Sequence, residues 1–153
     1  MSDIGFNEAF RSDEFLVEIE GIESPGIIRV SGLSDGAVVA IDQPDASQNV
    51  THKVSARNIR YDDLVLVRHV DGGAGDEAFR KWFTAAFARN GTGRGSQDRR
   101  NGSVVKRHFG EEVMRFAFEG AWIKSSRFSD LDAASNELMT QTLVLAVERM
   151  YRV

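Results

Sequence analysis

Apolar and polar residues alternate along most of this chain and switch to a helical period only once. Phe15, Val17 and Ile19 fall on one side of an extended segment and Glu18 and Glu20 on the other, which is the pattern of a half-buried strand. Gly21 ends that run, Ser24-Pro25-Gly26 turns the chain, and residues 27–31 start a second strand before Gly32. These two runs are expected to pair as a hairpin. Residues 38–41 predict a third short strand. Residues 59–69 predict a fourth, in which Leu64, Val65, Leu66 and Val67 are continuous enough to be covered on both faces. Residues 103–109 and 113–122 read as a pair joined around Gly110. In residues 140–149, Leu143, Leu145 and Val147 alternate with Thr142, Val144 and Ala146, which favours strand over helix.

The helical period begins at Asp76. Phe79, Trp82, Phe83, Ala86 and Phe87 stand at i, i+3, i+4, i+7 and i+8, one apolar stripe of an amphipathic helix over about 76–90, with Asp76 as its expected N-cap and Asn90-Gly91 as its stop. Seven or so short strands around one helix predict a mainly β fold: two antiparallel sheets forming a barrel or sandwich, with the helix covering it. The 153 residues fit one domain over 1–153, and 42% hydrophobic content supplies a core without staples.

Two stretches fall outside this pattern. Residues 42–56 are polar, contain Pro44 and carry almost no large apolar side chain, so they are expected to be a long loop or arm that touches a partner. Residues 91–102 form a glycine-rich basic loop expected to be flexible. From Arg89 to His108 six basic residues (Arg89, Arg94, Arg99, Arg100, Lys106 and Arg107) face the single acid Asp98, a local charge of +5; with a net charge of -4, the remainder carries -9. Such asymmetry suits a polar contact between subunits better than nucleic-acid binding, because no aromatic platform is interleaved with the cations.

Catalytic and cofactor chemistry finds little support. The chain has no cysteine, which excludes disulfides, thiolate metal sites and cysteine nucleophiles. His52, His69 and His108 show no metal-ligand spacing, and no G-x-S-x-G elbow is present. The carboxylate pairs Asp62-Asp63 and Glu111-Glu112 are adjacent, so on a strand they would point to opposite faces and could not share a substrate. Gly91, Gly93 and Gly95 resemble a phosphate loop only in composition: the run follows a helix instead of opening one. No enzyme, cofactor or metal is expected. The longest apolar runs, residues 64–67 and 143–147, are far short of a membrane span, and residues 1–10 lack a basic start followed by an apolar stretch, so synthesis in the cytoplasm without a signal peptide is expected.

Several landmarks, taken in order, resemble the tail tube proteins of contractile phage tails and phage-like injection systems. They are Phe15-x-Val17-Glu18-Ile19-Glu20-Gly21, then Val30-Ser31-Gly32-Leu33, Leu64-x-Leu66-x-Arg68, Trp82, Phe116-x-Phe118-x-x-Ala121-Trp122-x-Lys124, and Ser129-Asp130-Leu131-Asp132-Ala133-Ala134-Ser135-Asn136-Glu137 before the last strand. The chain departs from the family pattern at His69, at Ile123 and near Met139 and Thr140. The resemblance implies hexameric rings whose inward sheets join into one barrel and whose stacking makes a rigid hollow tube inside a sheath. It implies as partners other copies of the chain, a sheath protein, baseplate and terminator or cap proteins, and protein or DNA cargo in the lumen, with no membrane anchor. On this reading Asp42, Gln43, Pro44, Gln48, His52, Lys53, Arg94, Arg99 and Arg100 are candidates for subunit or ring interfaces. Gly21, Gly32, Trp82, Trp122, Asp130, Leu131 and Asn136 are candidates for setting the fold, Asp130 and Asn136 by bonding nearby backbone. Other readings are a tube initiator at the baseplate, a ring of the type VI secretion kind, and a monomeric anion-binding β-barrel using the 94–100 loop.

Overall fold

Among the residues described by this computed structural model (9–22, 25–85 and 99–153, with backbone alone at 56 and 57), nine strands accompany one helix. The elements are β1 (Phe15–Ile19), β2 (Ile27–Ser31), β3 (Ala37–Asp45), β4 (Val50–Arg60), β5 (Leu64–His69), α1 (Ala74–Ala85), β6 (Arg100–His108), β7 (Glu111–Phe128), β8 (Thr140–Ala146) and β9 (Arg149–Arg152). All pairings are antiparallel. One path of strands runs β1-β6-β7-β8-β5-β2, with β9 added alongside β7, while β3 and β4 pair only with each other.

β7 makes this path two-layered. Its first half pairs with β6 and β9 and its second half with β8; Gly120, at φ 66°, lies where the pairing changes, and a register shift at Ile123/Ser125 follows within the second half. A positive φ suits glycine, and the bulge bends the strand, so one long strand passes from the first sheet into the second. The inward residues of both layers, among them Val17, Ile19, Leu64, Leu66, Phe118, Leu143 and Leu145, form one buried core. The alternation along β8 is complete: Gln141, Leu143 and Leu145 are buried and their neighbours half-buried.

The expected hairpin between β1 and β2 does not form. β1 pairs with β6 and β2 with β5, so the two occupy opposite ends of the strand path. After β1 the chain reverses tightly, with Gly21 at φ 78° and Ile22 N–H bonded to Ile19 C=O at 3.0 Å. This places Ile22 in the core at 6% exposure, and the chain then crosses to the other layer. Because β1 and β2 do not meet, the sandwich is not closed into a barrel.

The helix starts earlier than its sequence pattern suggested. It begins at Ala74, two residues before Asp76, whose carboxylate instead reaches back to Gly72 N–H at 2.5 Å, as a first-turn acid can. Phe79 and Trp82 are fully buried and Phe83 packs against the core. The expected extension over 86–90 lies outside the described residues, as does most of the expected basic loop. Residues 100–102 of that loop are strand, the start of β6.

Candidate functional site

Residues 42–56, expected to be a long loop or arm, lie on a projecting β-hairpin. β3 and β4 are in register as Ile41↔Val54, Asp42↔Lys53, Gln43↔His52 and Pro44↔Thr51, and residues 46–49 turn the chain. Asn49 adopts φ 58°, the left-handed conformation an asparagine tolerates. Asp45 fixes the turn: its Oδ1 accepts from Ser47 N–H at 3.0 Å and from Ser47 Oγ at 2.6 Å. Those two bonds, with a further contribution from His52, hold the Asp45 carboxyl below its ordinary range. His52 Nε2 lies 3.6 Å from Asp45 Oδ2.

Among the described side chains of both strands, none is buried. Ile41 and Val54, a cross-strand pair on one face, are 50% and 41% exposed. An isolated two-stranded hairpin is marginal in water, because it exposes apolar side chains and both of its edges. The structure therefore brings Asp42, Gln43, Pro44, His52 and Lys53 together on one arm, with Gln48 in its turn.

The basic candidates separate from that arm. Arg99 forms an ion pair with Glu148. Arg100 lies over the Trp82 ring, 5.1 Å from its centroid, and its Nη1 donates to Glu20 C=O at 3.3 Å. Both are thus engaged within their own chain, and Arg100 supports the helix. Arg94 lies outside the described residues.

The fold-setting candidates divide as well. Gly21 and Gly32 adopt φ 78° and 91°, a Cβ at Gly32 would come within 2.1 Å of Asp63 C=O, and Trp82 is buried. Trp122 is half-buried and pairs with Ala146 at the end of β8. In the 129–139 connection, the backbone is held by residues other than the two expected. Ser129 Oγ accepts from Thr140 N–H, Asp132 Oδ1 from Ala134 N–H, and Ser135 Oγ from Glu137 N–H, at 3.0, 3.0 and 3.1 Å. Asp130 and Asn136 make none of these bonds, and Leu131 is 81% exposed.

Sequence reasoning placed Arg68 in a family landmark but missed its buried, bridging role. This side chain is 3% exposed, forms an ion pair with Asp76, donates to Gln141 Oε1 at 2.9 Å and stacks over Phe79 at 5.3 Å. A basic residue continuing the inward phase of Leu64 and Leu66 was the available signal. The carboxylate pairs are split between separate ion pairs, with Asp63 on Lys124 and Glu112 on Arg115. Among the described residues, no group of three metal-ligating side chains comes together. No described helix is long and apolar enough to cross a membrane.

Among the described residues, then, the chain defines a class of fold: an antiparallel sandwich that is not closed into a barrel, with β1 and β2 at the ends of its strand path and a β3–β4 hairpin that has no buried face. The sequence model described as T4-like virus tail tube protein gp19 matches residues 11–151, and the chain belongs to that family. Among solved structures it is similar to a chain in the six-fold symmetrised anti-feeding prophage baseplate, with a TM-score of 0.78, 21% identity and 97% of each chain covered. It is also similar to a chain of the PVC sheath-tube complex of an extracellular contractile injection system in its extended state, with a TM-score of 0.74, 17% identity, and coverage of 95% of this chain and 91% of that one. A more distant likeness joins it to Hcp1 from Flavobacterium johnsoniae, with a TM-score of 0.52, 17% identity, and coverage of 90% of this chain and 94% of that one. No curated protein matches the chain. At these identities the structural likeness shows a shared fold; the family match makes the protein a tube subunit.

Proposed function

We propose that six copies close into a ring through their open sheet edges, and that rings stack into the hollow inner tube of a contractile tail or phage-like injection system. Shortening of a surrounding sheath drives that tube through a target envelope. The chain is structural and performs no bond chemistry. Its partners are other copies of itself, a sheath protein, a baseplate and a cap, with protein or DNA as cargo in the lumen.

The observation that carries this reading is the β3–β4 arm. Its described side chains are all at least partly exposed, and Asp42, Gln43, Pro44, Gln48, His52 and Lys53 offer neighbouring subunits or rings a polar surface around the Ile41–Val54 pair. The unpaired edges of β1 and β2 supply the complementary need, since lateral pairing around a closed ring satisfies their free N–H and C=O groups.

Negative-stain electron microscopy of the purified protein, with light scattering on the same sample, tests the reading. Six-fold rings or hollow tubes are expected. Rings that never elongate would indicate a tube initiator, and a strictly monomeric 17.0 kDa species would overturn the proposal. Removing residues 43–51 should leave the subunit folded and abolish polymerisation; a variant that still grows long tubes would refute the role of the arm.

A further inference from the structure

Two surfaces that play no part in the arm complement each other. Where the strand path ends at β1 and β2, a groove of about 510 Å³ opens, with apolar walls that include Phe15, Leu33 and Phe116. Among the described residues, the charged ones lining it are Arg11, Arg29 and Lys106, the last also donating to Glu14 C=O at 2.9 Å, and none is a carboxylate. The 129–139 connection between β7 and β8 has the opposite character: it contains Asp130, Asp132 and Glu137, no basic residue, and two leucines, Leu131 and Leu138, that are 81% and 70% exposed.

This loop is not a slack segment. Its backbone is pinned by Ser129, Asp132 and Ser135, and both leucines stay largely exposed at the mouth of a shallow cleft that the loop forms with His69 and Thr140. A single exposed leucine carries no information, but two on a self-bonded loop beside three carboxylates form an amphipathic plug. No residue of the loop lines the groove within the same chain.

From this complementarity we infer that the 129–139 loop of one copy docks in the β1–β2 groove of a second copy. Leu131 and Leu138 enter the apolar cleft, and the three carboxylates meet Arg11, Arg29 and Lys106 at its rim. Opposite charges of this kind set register and speed encounter. Because donor and acceptor are different surfaces, every copy gives one loop and receives one, and the contact repeats in a single direction, as a ring or a stack requires. The inference rests on the tube reading and assigns it a specific mating pair.

The absence of native cysteine makes the test clean. Leu131→Cys and Leu33→Cys, each at an exposed position, are prepared as separate full-length proteins, mixed and oxidised. A disulfide-linked heterodimer is expected in about tenfold excess over either protein oxidised alone, and a chain carrying both substitutions should give a covalent ladder. In a second experiment, Arg29→Glu with Lys106→Glu should slow assembly about tenfold by light scattering, and mixing with Asp130→Lys with Glu137→Lys, which spares the Asp132 bond to Ala134 N–H, should restore it. Rings or tubes that form without these crosslinks, and with no response to the charge exchange, overturn the docking while leaving the tube reading intact. A wild-type protein that stays monomeric, together with cysteine variants that give no crosslink, overturns both.

Discussion

Arg68 shows how one buried cation can organise a subunit. Its guanidinium ties α1 through Asp76, β8 through Gln141 and the segment before β2 through Pro25 C=O, at 3.4 Å in the last case. Burial pushes the Asp76 carboxyl up, but hydrogen bonds from Arg68 and Gly72 N–H and the charge of Arg68 outweigh it, so the carboxyl is held below the usual carboxylate range. A depressed folded-state value means the group stabilises the fold above the unfolded pKa of about 4 and that this contribution is lost as pH falls through the folded value. Thermal melts across the acid range should therefore show stability declining below about pH 4. Asp76→Asn should flatten that decline and cost about 3 kcal/mol at neutral pH, because it leaves a buried guanidinium without its counter-charge. Gly32 is the sharper steric case. Gly32→Ala should destabilise by about 2 kcal/mol or more in urea titrations, since the methyl group meets Asp63 C=O in a left-handed backbone. The need for glycine at 21 and 32 could be read from their places at strand ends. The role of Arg68 could not, because a charged residue at an inward phase is intelligible only once its partners from α1 and β8 are known.

At the scale of elements, legibility followed the size of the apolar face. β1, β5, β8 and α1 have strong faces, and their existence was plain from period alone. The β3–β4 hairpin has no buried face, so the alternation that marks other strands is absent, and polar composition with Pro44 suggested a loop. Pairing was less legible still. The Ser24-Pro25-Gly26 turn signal favours a local hairpin, whereas burial of Ile22 carries the chain across the core to a partner strand far along the sequence. The arm has a prediction of its own. Ile41→Asp and Val54→Asp lie at exposed positions, so each should change subunit stability by no more than about 0.5 kcal/mol in thermal melts while abolishing ring or tube formation by electron microscopy. Melting of the subunit itself would show that the pair serves its own fold instead.

Taken whole, the molecule is a sandwich that stops short of closing, and the two strands at its ends carry unpaired backbone. Hydrogen exchange should register this directly: in dilute subunits the outward amides of β1 and β2 and those of the arm should exchange early while the β5–β8 core stays protected, and all three regions should gain protection in assembled tubes. Equal protection in both states would contradict completion by neighbours. The family landmarks in the sequence anticipated this architecture, but not which surfaces mate, because the exposure of Leu131 and the groove between β1 and β2 exist only after folding.

The coreless arm also bears on the timing of assembly. A hairpin that is marginal alone loses its conformational freedom when it docks, so the first encounter between two free subunits must order both arms before either is held. A growing end already presents a formed seat, and an arriving subunit has only its own arm to order. On the proposed assembly, growth from an existing template outruns spontaneous initiation, and a pool of free subunits can persist at concentrations where an already started tube lengthens.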